Sequence, residues 1–388
     1  MDQYQGINAM PYYCGSSFEE LRVQDYSETG KFKDSFDDRK AWRDPLFTSL
    51  DDSVDGTDEN STKGDEDDEE CPYIQDLKLC KRCEKLWYPD GNIVFHAADT
   101  IYRIHHSILS IHSRVFKDIF EKPFSDESHD TEVESFENCL VVRLLDSPKE
   151  IESLLMTIYY PFHFQESSHS YTFLDAALRV STKYNFDTLR VNVLSKLTPS
   201  FPSTLEAFDE LSRYPDRLRD SQKKALSVIN LARYTSCFEF LPSAFYLCSR
   251  LSAQTILRGK GKNDTICAED AATCIIGREE LIKTWNKRTH EFLYEKPSIS
   301  VFRRASCSEC PKHTNEKLLE YLQAKDGAEL FGLDQFDTWD VIGLCSKCAI
   351  PLQTKHQESR QQLWEQLPKV FGLGSWDELR TKQALREA

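Results

Sequence analysis

Hydrophobic and polar residues between positions 92 and 120 first follow a pattern typical of strands and then one typical of helices. Residues 92–95 and 100–104 are rich in β-branched and aromatic side chains, and a short break separates them. Such runs favour two strands that pair as a hairpin. Between Ile108 and Phe120 the apolar residues recur every three or four positions, which predicts two helical segments that each bury one side. Ser113 lies where its hydroxyl can cap the second helix.

The remaining pattern predicts one further strand and then helices. Residues 139–145 form a strand candidate, and Pro148 opens the helix that follows it. Apolar residues at helical spacing predict helices over residues 171–184, 186–197, 203–211, 221–234, 268–285 and 315–324. In the last patterned segment, residues 363–376, we expect a helix that Pro368 stops. The predicted fold class is α+β, with a small sheet flanked by helices and a mainly α-helical C-terminal region.

Composition limits the classes of protein that fit this pattern. The chain has 388 residues, of which 40% are hydrophobic, enough for two compact domains and a tail. No stretch approaches the roughly 20 apolar residues of a membrane-spanning helix. The N-terminus lacks the basic and apolar design of a signal peptide, so we expect an intracellular protein, with nucleus and cytoplasm both open. The 13 cysteines then favour reduced thiols, some of them on metal, over disulfides.

Charge is unevenly distributed along the chain. Between Asp51 and Glu70 eleven acidic residues face a single lysine, Lys63, and a compact core is implausible there. We therefore expect residues 1–84 to form a disordered acidic arm. The net charge of −16 argues against a protein that wraps nucleic acid broadly, because neutralising phosphates requires a surplus of Lys and Arg.

One motif in this stretch carries a resemblance to a known family. The run Tyr102-x-Ile104-His105-His106-x-x-Leu109-Ser110-x-x-Ser113-x-x-Phe116 resembles the signature of the BTB/POZ domain. The longer phrases DGNIVFHAADTIYRIHHSILS and LRVSTKYNFDTLR are similar to BTB proteins that are abundant in mushroom-forming fungi. The resemblance implies a BTB/POZ domain over residues 85–197 and an α-helical C-terminal region over 198–388. Its structural signature falls on Tyr102, His105, Leu109, Ser113 and Phe116.

The resemblance also implies a function in protein–protein contact. We expect a scaffold or adaptor that pairs with itself, as a homodimer, or with another protein. In dimeric members a buried Asp and a basic residue line a groove pocket, and these positions fall on Asp90 and His106. His106 departs from the family pattern because an unperturbed histidine, with a pKa of about 6.5, is mostly uncharged at neutral pH. A substrate adaptor of a cullin-type ubiquitin ligase is an alternative that rests on fold analogy alone.

Two cysteine pairs in the C-terminal half offer metal chemistry. Cys307-Ser308-Glu309-Cys310 and Cys345-Ser346-Lys347-Cys348 each place two thiolates two residues apart, and together they supply the four ligands of a tetrahedral zinc site. The 34 residues between the pairs exceed the roughly 15 to 20 of the common zinc ribbon. We expect one structural zinc, with buried or surface thiols as the alternative reading. A DNA-binding transcription regulator that uses this module is a second functional alternative.

The remaining motifs add no further chemical site. Cys80-x-x-Cys83 is half of a zinc pattern, and we interpret these cysteines as thiols without a metal. We interpret His96 and the neighbouring histidines as separate residues that form no metal cluster. The sequence contains no Gly-rich phosphate loop, no nucleophile elbow and no His-Glu-x-x-His motif, so we expect no enzyme, no small-molecule substrate and no catalytic residue.

Overall fold

The computed structural model describes residues 77–121, 134–166, 168–259, 265–294, 305, 307–324 and 331–387. The described residues form two units, one ending at Leu145 and one beginning at Asp146. This boundary falls inside the range 85–197 that the sequence indicates as one domain. Most of the predicted acidic arm, residues 1–76, lies outside the described residues. Its last residues form a turn and the start of a strand, so the folded part begins before residue 85.

The first unit contains a five-stranded sheet with the strand order β1-β3-β2-β5-β4. Its strands are β1 (Lys81–Trp87), β2 (Ile93–Ala97), β3 (Thr100–Ile104), β4 (Ser135–Phe136) and β5 (Cys139–Leu144). Strands β2 and β3 pair antiparallel, which confirms the hairpin, and β5 lies parallel to β2 on its other side. Strand β1 pairs with β3 and was not predicted. Its sequence, KRCEKLW, is mostly charged because an edge strand exposes much of its length.

Two short helices accompany this sheet, α1 (His106–His112) and α2 (Arg114–Glu121). The hydroxyl of Ser113 accepts a hydrogen bond from the backbone N–H of Phe116 over 3.1 Å, which confirms the predicted cap. Tyr102, Leu109 and Phe116 are completely buried, and the ring of Phe116 lies 5.2 Å from that of Phe95. The motif residues of this stretch therefore act mainly as core and capping residues.

The second unit is helical in its described residues. Its helices are α3 (Pro148–Tyr159), α4 (Pro161–Glu166), α5 (Tyr171–Lys183), α6 (Asp187–Leu197), α7 (Leu205–Ser212), α8 (Pro215–Thr235), α9 (Leu241–Ser249), α10 (Ala253–Arg258), α11 (Ala268–Glu280), α12 (Asn286–Thr289), α13 (Glu291–Tyr294), α14 (Cys310–Ala324), α15 (Ser346–Val370) and α16 (Trp376–Glu387). A π-helical turn, Leu281–Trp285, joins α11 to α12. The coarse α+β prediction is thus confirmed as a small mixed sheet and a mostly helical remainder.

Local sequence explains the start of α3. The hydroxyl of Ser147 accepts from the backbone N–H of Glu150, and the Glu150 carboxylate accepts from the backbone N–H of Ser147 over 2.9 Å. This reciprocal capping box satisfies two amide groups that the first turn leaves unpaired, and Pro148 supplies a helical φ at the next position. The predicted start of this helix is confirmed.

The prediction that Pro368 stops the last patterned helix is wrong, because α15 continues to Val370. Proline has no N–H to donate to the carbonyl oxygen four residues earlier, which belongs to Trp364. The indole Nε1–H of Trp376 donates to that oxygen over 2.9 Å, and the two indole rings stack with centroids 5.7 Å apart. A tertiary hydrogen bond therefore replaces the missing helical one.

A buried ion pair joins α7 to α15. The guanidinium of Arg360, only 1% exposed, pairs with the carboxylate of Asp209 and donates from Nε to the carbonyl oxygen of Leu333 over 3.1 Å. These bonds satisfy a cation that has little contact with water. Among the described residues, no helix has the length and apolar character that crossing a bilayer requires.

Candidate metal centre

The four cysteines of the two Cys-x-x-Cys pairs lie together at the starts of two helices. Helix α14 begins at Cys310, and Cys345 is the N-cap residue of α15, with Cys348 in its first turn. A helix start is suited to a thiolate because its unpaired N–H groups and partial positive charge stabilise an anion. Each cysteine pair therefore lies at a helix start, where the local backbone can stabilise a thiolate.

The sulfur atoms are close enough to share one ion. The Sγ atoms of Cys307, Cys310, Cys345 and Cys348 all lie within 4.8 Å of one another. In a tetrahedral zinc site with Zn–S distances of about 2.3 Å, neighbouring sulfurs are about 3.8 Å apart. The cluster thus needs only a small contraction to hold a metal ion, and four thiolates leave no open position for a substrate.

Backbone donors already point at these sulfurs. The N–H of Cys310 donates to Sγ of Cys307 over 3.5 Å, and the N–H of Cys345 donates to Sγ of Cys310 over 3.2 Å. The first of these bonds is the main reason that the pKa of Cys307 is lowered to about 7. The N–H of Cys348 likewise lowers the pKa of Cys345. Two of the four thiols are thereby prepared for the deprotonated form that binds metal.

The other two thiols are part of a hydrophobic core. Burial raises the pKa of both Cys310 and Cys348. Their cluster includes Phe292, Phe336, Trp339, Ile342 and Leu344. A thiol in these surroundings stays protonated unless a cation compensates its charge, so a metal ion would reverse the effect of burial.

The chain returns from α14 to α15 through a tight turn at Gly343. This glycine has a φ of +79°, and a Cβ here would lie 3.2 Å from the Cα of Thr314. The hydroxyl of Thr314 bonds to the carbonyl oxygens of Cys310 and Gly343. This close approach brings the two cysteine pairs together across the 34 intervening residues, whose spacing alone did not show it.

No family model, no curated protein and no solved structure matches this chain.

The two groove residues that the family resemblance implies, Asp90 and His106, contact different partners in the structure. Asp90 is 83% exposed, and its carboxylate lies 3.3 Å from Nε2 of His105. His106 instead contacts Asn92, with 2.7 Å between its Nδ1 and the amide nitrogen of that residue. The buried carboxylate that the resemblance implies is thus exposed at Asp90 in this chain.

Among the described residues, Cys80 and Cys83 belong to no cluster of three or more potential metal ligands. Cys83 lies in β1 and is half-buried, whereas Cys80 lies directly before the strand and is buried. Sγ of Cys80 lies 3.5 Å from Nε2 of His96, and Nδ1 of His96 lies 3.0 Å from a guanidinium nitrogen of Arg143. Burial is the main cause of the lowered pKa of His96. Sequence reasoning missed this contact because it depends on the register that places His96 beside Arg143 in β5.

Proposed function

We propose that this chain is a non-enzymatic protein–protein interaction protein, a scaffold or adaptor, whose helical unit is held together by one structural zinc ion. The observation that carries the zinc is the four-sulfur cluster at Cys307, Cys310, Cys345 and Cys348. A structural role follows from the donor set, since a closed set of four thiolates leaves no coordination position for substrate or water.

The proposed interaction surface is the helical pair α1–α2 of the first unit, the part of the chain that resembles a BTB/POZ domain. In α1 only Leu109 is buried, and in α2 only Phe116. Ile111, an apolar residue of α1, is 77% exposed. Covering such a side chain in a complex gains roughly 1.5–3 kcal/mol. Together with the resemblance, this exposure supports a second copy of the chain as the partner.

Metal analysis of the full chain tests the zinc site. We expect Cys345→Ser to lose about one equivalent of zinc relative to wild type, because the cluster is left with three thiolates. Cys267→Ser is a matched control, since Cys267 is also a helix N-cap residue, at the start of α11, and is exposed. Serine is a good N-cap residue in both places, so helix capping cancels in the comparison. Equal zinc contents in the two variants would refute the site.

The mass of the full chain in solution tests the interaction surface. We expect wild type to sediment at twice its monomer mass at micromolar concentration and Ile111→Glu to sediment as a monomer, since a charge cannot be buried in an apolar contact. Leu257→Glu, which changes a 61% exposed residue of α10, should remain a dimer. A monomeric wild type would contradict self-association, and a dimeric Ile111→Glu would contradict the surface.

A further inference from the structure

Two buried histidines of the helical unit, His290 and His356, have ring nitrogens without a hydrogen-bond partner. His290 is 0% exposed and His356 is 6% exposed, and their Nε2 atoms find no partner among the described residues. The side-chain oxygen of Asn286, one helical turn before His290, is also buried and unpartnered. Since buried polar atoms are nearly always paired, three such atoms in one region point to a missing ligand.

The hydrogen bonds on the other ring nitrogens define the tautomers. Nδ1 of His356 lies 2.6 Å from the backbone carbonyl oxygen of Thr289, which only accepts, so Nδ1 carries the proton. The Thr289 hydroxyl donates its single proton to the carbonyl oxygen of Trp285, and it therefore accepts from Nδ1 of His290 over 3.0 Å. Both Nε2 atoms are then unprotonated lone-pair donors. Fixing a histidine through Nδ1 in this way is the usual arrangement behind a metal-binding Nε2.

The two rings lie close enough to share one ligand. Their centroids are 5.0 Å apart. Two imidazoles bound through Nε2 to one tetrahedral ion at about 2.0–2.1 Å have centroids about 5 Å apart. A water molecule that donates to both nitrogens at about 2.8–2.9 Å would hold the rings about 6 Å apart. The observed centroid spacing matches the value for one shared metal ion.

The charges around the two histidines balance. Asp334 and Asp209 are the acidic groups that act on the two imidazoles, and each is paired, Asp334 with Arg250 over 2.5 Å and Asp209 with Arg360. Burial lowers the pKa of both histidines, that of His356 to about 4, so both rings are neutral at pH 7. Neutral imidazole is the form that coordinates metal.

The backbone that presents this pair is irregular. The π-helical turn Leu281–Trp285 comes immediately before Asn286, and single π-helical turns occur frequently at functional sites. Gly332 lies against the same stretch: a Cβ there would meet Leu363 at 2.6 Å, and the side-chain oxygen of Asn286 would be 3.5 Å away. A substitution of this glycine would crowd the region that holds the unpartnered atoms.

We propose that Nε2 of His290 and Nε2 of His356 bind one divalent transition-metal ion of the zinc type, at a site separate from the four cysteines. The proposal does not rest on the proposed function, because it uses none of the cysteine residues.

Cobalt(II) loading of the full chain separates the two sites. Thiolate-bound cobalt gives sulfur-to-metal charge-transfer absorption, whereas cobalt bound by nitrogen and oxygen gives only weak visible bands. We expect His356→Gln to lose about one equivalent of metal and the weak bands while the charge-transfer absorption remains. Cys345→Ser should show the opposite pattern, and His112→Gln, at an exposed histidine of α1, should match wild type.

X-ray absorption at the zinc edge of the wild-type chain gives a test that does not depend on a variant folding. We expect imidazole scattering in addition to sulfur and about two equivalents of zinc, one for each site. A purely sulfur shell with one equivalent would overturn the histidine site, and so would cobalt binding that His356→Gln leaves unchanged. Loss of the sulfur shell alone would count against the cysteine centre and leave this proposal standing.

Discussion

Removing the indole N–H of Trp376 tests the bond that lets α15 continue through a proline. The bond to the carbonyl oxygen of Trp364 is 2.9 Å long and buried, and Pro368 cannot supply the usual helical donor. In Trp376→Phe the oxygen is left unsatisfied, which costs about 1–3 kcal/mol. Loss of part of the stacked ring adds to this, so we expect the free energy of unfolding to fall by about 2–4 kcal/mol.

A double-mutant cycle isolates the hydrogen bond from the ring. Pro368→Ala restores an N–H that can donate to the carbonyl of Trp364, so Trp376→Phe should cost about 1 kcal/mol less in that background. Urea unfolding of the four proteins, followed by far-ultraviolet circular dichroism, measures the difference. If the two changes add to within about 0.5 kcal/mol, the carbonyl is not shared between the two donors and the reasoning is refuted.

Three further outcomes follow from buried groups of the helical unit. Asp209→Ala leaves the 1% exposed Arg360 without its carboxylate and should cost about 3–5 kcal/mol in urea unfolding, whereas replacing both partners by apolar residues should cost less; equal losses would contradict a buried pair. The pKa of His356 is lowered from 6.5 to about 4, so the unfolded chain takes up its proton first, and stability present above pH 6.5 should be lost as the pH falls towards 4. Measured with a chelator present, this loss should be smaller in His356→Gln, and an identical pH profile would show that His356 is not the group responsible. Gly343→Ala forces a side chain into a positive φ against Thr314 and should cost about 1–3 kcal/mol and weaken zinc retention, which thermal unfolding and metal analysis will show; a fully stable, zinc-loaded variant would mean that the turn does not set the cysteine geometry.

Local patterning was sufficient for most helices and for the central hairpin. The predicted helices over residues 171–184, 186–197 and 203–211 correspond to α5, α6 and α7 to within two residues at each end. These helices and strands depend mainly on local sequence, since a run of apolar residues at helical or alternating spacing needs only one partner surface to become stable. The Ser113 cap is local in the same sense, because donor and acceptor are three residues apart.

Elements that depend on distant partners were missed or misjudged. Strand β1 is too polar to be recognised by alternation, and it exists because β3 pairs with it. Pro368 is a reliable helix breaker only when no outside donor serves the freed carbonyl, and Trp376 is that donor. The motif also could not predict that Asp90 is exposed, since residue spacing that resembles a family does not determine how deeply a side chain is buried.

The sequence by itself determined which residues can bind metal, where most helices run and which side chains form the core of the motif stretch. Thiolates two residues apart and apolar residues at fixed periods are chemical facts of the chain. Tertiary structure decided which of these groups meet. It brought Cys307 and Cys310 to Cys345 and Cys348. It also placed His290 beside His356, although the two histidines are 66 residues apart in the sequence. The physical reason is that contact between distant residues depends on the packing of whole helices, which no local period encodes.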